Sequence, residues 1–134
     1  MYLLDTNIVS ELRRARPHGA VLTWLEALDD ADLHISAVTL GEIQAGIEIT
    51  RRQNPQRAEE IEAWADELAT VWNIVPIDAA IYRLWAKLMH GQGDHLYEDA
   101  LIAATARVHG FTVATRNVTD FQDFDVPLFN PFDA

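Results

Sequence analysis

The chain has 134 residues, 49% of them hydrophobic, with a formal charge of −11 and no cysteine. That size and balance suit one compact soluble domain; no stretch reaches the ~20 apolar residues of a membrane span, and no basic, apolar and small-residue succession marks a secretory signal, so the expected address is the cytoplasm, with no membrane association. The missing cysteines exclude disulfides, thiolate nucleophiles and cysteine-based zinc sites, and the acidic balance argues against unassisted, non-specific binding to nucleic acid.

Met1-Tyr2-Leu3-Leu4 reads as a short buried strand ending in Asp5-Thr6-Asn7, which delivers a carboxylate to the rim of the fold. Asn7 to about Arg13 follows as a short helix. Pro17 suits the first position of a second helix through about Leu28, with Val21, Leu22, Trp24, Leu25 and Leu28 as its apolar face. Leu33-His34-Ile35 is a second strand, and Ser36 caps a third helix from Ala37 to about Arg52. Asn54-Pro55 ends that helix and starts a fourth, to about Trp72, with Ile61, Trp64, Leu68, Val71 and Trp72 at helical spacing.

Ile74-Val75-Pro76-Ile77 is a third strand, placed near a sheet edge by its proline. Asp78 caps a fifth helix through about Met89, and His90 to His95 is a loop. A sixth helix, nearly all apolar, runs from about Tyr97 to His109 and closes on Gly110. Phe111-Thr112-Val113-Ala114-Thr115 is a fourth strand and Pro127-Leu128-Phe129 a marginal fifth. Strands separated by one or two helices predict an α/β fold, with a parallel sheet covered on both faces and functional groups beyond the carboxyl ends of the strands.

Four acids then draw attention. Asp5 ends the first strand. Glu42 sits on the third helix among Val38, Thr39, Ala45 and Gly46, which is not a solvated face. Gly46 costs about 1 kcal/mol relative to alanine inside a helix, which fits either close approach of another element or ordinary tight packing. Asp99 heads the sixth helix, whose N-terminus must reach the same rim because the helix feeds directly into the fourth strand. Its other reading is a charge favoured by the helix dipole. Glu98 points about 100° away around the helix and is the weaker candidate. Asp120 follows the fourth strand in a turn, where aspartate is common in any case. Two unit charges about 6 Å apart repel by roughly 3 kcal/mol at an effective dielectric near 20, so four converging acids require protons, basic partners or cations. Oxygen-only donors select a hard ion, Mg²⁺ or Mn²⁺, which positions a phosphodiester and activates water.

Nine of the ten basic residues are arginine, clustered as Arg13, Arg14 and Arg16 and as Arg51, Arg52 and Arg57, with Arg116 beside a turn. They suit phosphate recognition or, equally, solvated helix ends. His18, His34, His90, His95 and His109 share no metal-ligand spacing, and Trp24, Trp64, Trp72 and Trp85 read as core or interface packing rather than base-stacking platforms.

Leu4-Asp5-Thr6-Asn7 with Ser10-Glu11, Ser36-Ala37-Val38-Thr39 with Glu42 and Gly46, Asp99 with Ile102-Ala103-Ala104-Thr105-Ala106, and Thr115-Arg116-Asn117 with Asp120-Phe121 together resemble the four motifs of the PIN-domain ribonucleases. Among these they resemble the VapC and FitB-like toxins of bacterial toxin-antitoxin pairs, and Phe129-Asn130-Pro131 resembles the FitB-like ending. The resemblance spans nearly the whole chain. It implies a three-layer α/β sandwich around a parallel sheet of about five strands, a homodimer, and Mg²⁺- or Mn²⁺-dependent hydrolysis of RNA. Asp5, Glu42 and Asp99 would be the catalytic and metal-holding acids, with Asp120 a fourth. Thr6, Asn7, Thr115 and Asn117 would support them, and Arg13, Arg14, Arg16 and Arg116 would meet the RNA. A cognate antitoxin would cover the acidic groove. The residues also leave open a metal-dependent phosphatase and a catalytically silent acidic binding module.

Overall fold

The computed structural model describes residues 1–134. Five strands form one parallel sheet: β1 (Tyr2–Leu4), β2 (Leu33–Ser36), β3 (Asn73–Val75), β4 (Thr112–Ala114) and β5 (Leu128–Phe129), in the order β3-β2-β1-β4-β5. The helices are α1 (Thr6–Leu12), α2 (Gly19–Glu26), α3 (Ala37–Gln53), α4 (Pro55–Val71), α5 (Ala79–Met89) and α6 (Tyr97–His109), with a 3₁₀ segment over Val118–Phe124. The α/β sandwich and the parallel sheet agree with the sequence reading, and β3 does lie at an edge.

Alternation along the central strand separates the two layers. Leu3 and its neighbour Val113 point into one core, completed by Ile102, Ala103 and Ala106 of α6 and by Phe121 and Phe124. Leu4 and Ala114 point into the other, against Ile8 and Val9 of α1, Val21 of α2 and Leu68 of α4. A parallel strand covered on both faces needs side chains of this apolar kind throughout. A smaller cluster of Ile47, Ala58 and Ala65 joins α3 to α4.

Helix boundaries follow local chemistry. Ser36 accepts the Val38 N–H at 3.1 Å to start α3, Asp78 accepts the Ile81 N–H at 2.9 Å to start α5, and Gly110 ends α6 in the left-handed region at φ 74°. One start differs from expectation. Pro17 stands outside α2, which begins at Gly19 because His18 is the cap: its Nδ1 accepts the Ala20 N–H at 3.3 Å. The buried Glu11 fixes His18 there by accepting its backbone N–H at 3.0 Å. α2 also ends at Glu26, two residues before Leu28.

Candidate active site

The strand order reverses direction at β1. The chain goes from β1 outward through β2 to β3, then returns to the other side of β1 as β4. Such a switch point leaves a crevice beyond the strand ends, because the flanking crossovers depart in opposite directions. Asp5 follows β1 and Thr115 follows β4, so both stand at this crevice, and Asp5 is tied to the neighbouring strand through its N–H to the Ala114 carbonyl at 2.9 Å.

Asp5 is only 4% exposed and is held from several sides. Its Oδ1 accepts the Thr6 N–H at 2.8 Å, so the same carboxylate caps α1. Its Oδ2 accepts the Thr115 hydroxyl at 2.7 Å and the Asn7 amide at 3.2 Å. Thr115 Oγ1 in turn accepts the Asn117 backbone N–H at 2.9 Å, and Asn7 Oδ1 accepts the Arg116 N–H at 3.3 Å. Asn117 thus contributes its main chain. Burial raises the Asp5 carboxyl above its ordinary value, the hydrogen bonds from Thr115 and Thr6 oppose the rise, and the charge of Asp120 adds to it.

Glu42 comes from α3 and is half-buried. Thr6 Oγ1 donates to its Oε1 at 2.9 Å and lies 3.2 Å from Thr39 Oγ1, a buried hydroxyl that the sequence reading counted only as part of a motif. Burial raises the Glu42 carboxyl, the Thr6 bond opposes this, and the charges of Glu98 and Asp5 add to it. Asp99, in the first turn of α6, is pushed up to about 7 by burial first and then by the charges of Asp5, Asp120, Glu42 and Glu98. Asp120 reaches the cluster from the 3₁₀ segment, where its N–H bonds to the Asn117 carbonyl at 3.1 Å.

Asp99 thus feels the charge of all three other expected acids, and a fifth, Glu98, acts on both Asp99 and Glu42. Glu98 had looked misdirected on helical geometry. In the first turn, however, a helix overlooks the crevice with its end rather than one face, so consecutive residues can both approach it. Gly46 also departs from expectation: a Cβ added there would meet nothing within 4 Å, so no element approaches it closely. It lines a cleft of about 280 Å³ that opens beside the acids and includes Thr6, Ser10, Arg13, Glu42 and Trp64.

The arginines divide. Arg14 pairs with Glu11 at 3.2 Å, and Arg51 and Arg57 pair with glutamates of α3 and α4. Arg13, Arg16 and Arg116 are exposed and have no carboxylate partner, and none of the site acids has a basic one. As the side chains stand, no three of the acids are close enough together to hold a metal ion, so loading one requires them to draw in. The result is an open, hydroxyl-braced, uncompensated set of carboxylates. That donor chemistry fits a hard divalent ion coordinated by oxygen.

The PIN-domain family model matches residues 2–126. Toxin FitB of Neisseria gonorrhoeae is 34% identical over 98% of this chain and 99% of its own length. The VapC ribonuclease Y4jK of Sinorhizobium fredii is 35% identical over 99% of each. Among solved structures, that of FitAcB from N. gonorrhoeae superposes with a TM-score of 0.88 at 32% identity, covering both chains completely.

Proposed function

This chain belongs to the PIN-domain family, and from that premise we propose that it is the toxin of a toxin-antitoxin pair, an endoribonuclease dependent on Mg²⁺ or Mn²⁺. The observation that carries the reading is the convergence at the switch point of Asp5, Glu42, Asp99 and Asp120, with no basic side chain to offset them. Full-length likeness to FitB and to a VapC ribonuclease supports the toxin and ribonuclease roles. Likeness to a solved toxin-antitoxin complex supports a cognate antitoxin as partner; on this reading the antitoxin acts by covering the crevice. The active form is a homodimer working in the cytoplasm. No helix is long and apolar enough to cross a membrane.

Asp5, Glu42, Asp99 and Asp120 would hold the metal, which would supply a lowered pKa for water and offset charge on the phosphodiester. Asp5 is prepared for this by Thr6, Asn7 and Thr115, whose hydrogen bonds fix both its oxygens. Thr6 also orients Glu42, so one hydroxyl and one backbone N–H link two acids from distant parts of the chain. Without the ion, burial and the neighbouring acids push Asp99 up to about 7, so a cation binding there competes with its proton. Arg13, Arg16 and Arg116 meet the RNA backbone, whereas the pairing of Arg14 with Glu11 makes it a weaker contact.

Asp5→Asn and Asp99→Asn are expected to abolish Mn²⁺-dependent cleavage of single-stranded RNA while the circular dichroism spectrum stays native. Full activity in either purified variant would overturn the assignment. Calorimetry with Mn²⁺ separates the enzyme from a silent binding module, which has no need to hold the ion.

A further inference from the structure

The C-terminal turn Pro131–Asp133 brings Phe132 against two basic residues. The guanidinium carbon of Arg116 lies 4.6 Å from the ring centroid, and the His18 ring meets Phe132 edge-on at 5.0 Å. Phe132 is itself well fixed. Asn130 accepts its backbone N–H at 3.0 Å, Pro131 is buried, and the ring packs against the core cluster that contains Leu4, Ile8 and Val9. Arg116 is anchored at the other end: its N–H bonds to Asn7 Oδ1, and the Asn7 amide bonds to Asp5 Oδ2.

A long cationic side chain attached beside a crevice of carboxylates has an obvious alternative destination, because charge-assisted bonds to carboxylate are strong where solvent is partly excluded. Arg116 makes no such bond. A guanidinium over an aromatic face keeps its in-plane N–H donors free, and those donors match phosphate oxygens.

We propose that Phe132 is a positioning residue that holds Arg116 clear of the acids and presents it to a phosphate of the RNA strand flanking the scissile one. This rests on the ribonuclease reading. Phe132→Leu keeps apolar contact and removes the π face; Phe132→Trp restores it. KM and kcat on a single-stranded RNA are measured for these, for Arg116→Gln and for Phe132→Leu/Arg116→Gln. The ring-current shift of the Arg116 δ protons is read by NMR in the RNA-free protein.

Phe132→Leu and Arg116→Gln are each expected to raise KM about fivefold with kcat within about twofold. The double variant adds nothing further, Phe132→Trp returns KM to the wild-type value, and the upfield δ-proton shift disappears in Phe132→Leu. Should Phe132→Leu melt early, Phe132→Met, which also lacks a π face, replaces it. A wild-type KM in the leucine variant, or additive losses in the double, would overturn the proposal while wild-type cleavage leaves the ribonuclease reading intact. A wild-type protein that cleaves no RNA instead sinks both, and is told apart by that failure.

Discussion

Asp99 holds its proton to about 7 because it is partly buried and faces four other acids. Its folded value lies above the unfolded one, so between about pH 4 and 7 the folded state binds more protons than the unfolded. The stability this contributes is fully present below the unfolded value and is lost as pH rises through about 7. Thermal melts of metal-free protein should therefore show a midpoint that falls between pH 5 and 8 relative to Asp99→Asn, with the asparagine variant the more stable at pH 8. Parallel curves for the two proteins would mean that Asp99 does not feel the cluster. Thr115→Val tests a different element of the site. It removes the 2.7 Å hydroxyl bond to Asp5 and the acceptor for Asn117 N–H, and should weaken Mn²⁺ binding about 10- to 100-fold by calorimetry. The principal acids were legible in the sequence because each is an oddity where it stands. Asp5 ends an apolar strand, Glu42 interrupts a helix face of small residues, and Asp99 heads an apolar helix. Glu98 and Thr39 were not, since a charge on a helix and a threonine in a helix are unremarkable until their neighbours are known.

At the scale of elements, stops and starts written in capping chemistry were readable, while those set by tertiary contacts were not. Ser36, Asp78 and Gly110 act within a turn of their own position, so the sequence alone locates α3, α5 and the end of α6. The start of α2 depends on Glu11, seven residues earlier, which bonds His18 and leaves Pro17 in the connection. The strands are shorter than their apolar runs, since Phe111 and Thr115 flank β4 without joining it. Asp78 gives the element-scale prediction. Asp78→Ala should lower stability by about 1 kcal/mol through loss of the bond to Ile81 N–H, seen as a lower urea midpoint with an unchanged slope. RNA cleavage should be unaffected, and a matching loss of activity would show that α5 communicates with the crevice.

For the whole molecule, a charge of −11 and only three unpaired arginines near the site limit how many phosphates can be held. Contacts by Arg13, Arg16 and Arg116 predict a dependence of log K on log salt with a slope of about −2 for single-stranded RNA. A slope steeper than about −4 would place further phosphate contacts elsewhere on the surface. The sequence announced a parallel sheet but not the order β3-β2-β1-β4-β5, because alternating strands and helices leave open which side of β1 receives β4. That order has a temporal meaning. β1 is made first, yet its second neighbour is β4, and the hydroxyl that steadies Asp5 belongs to a residue 110 positions later. A ribosome-bound chain that has not yet released Thr115 and Asp120 can fold part of its sheet but cannot assemble the crevice. The nascent polypeptide therefore lacks both the brace on Asp5 and the carboxylate of Asp120 until the strand after α6 has left the exit tunnel.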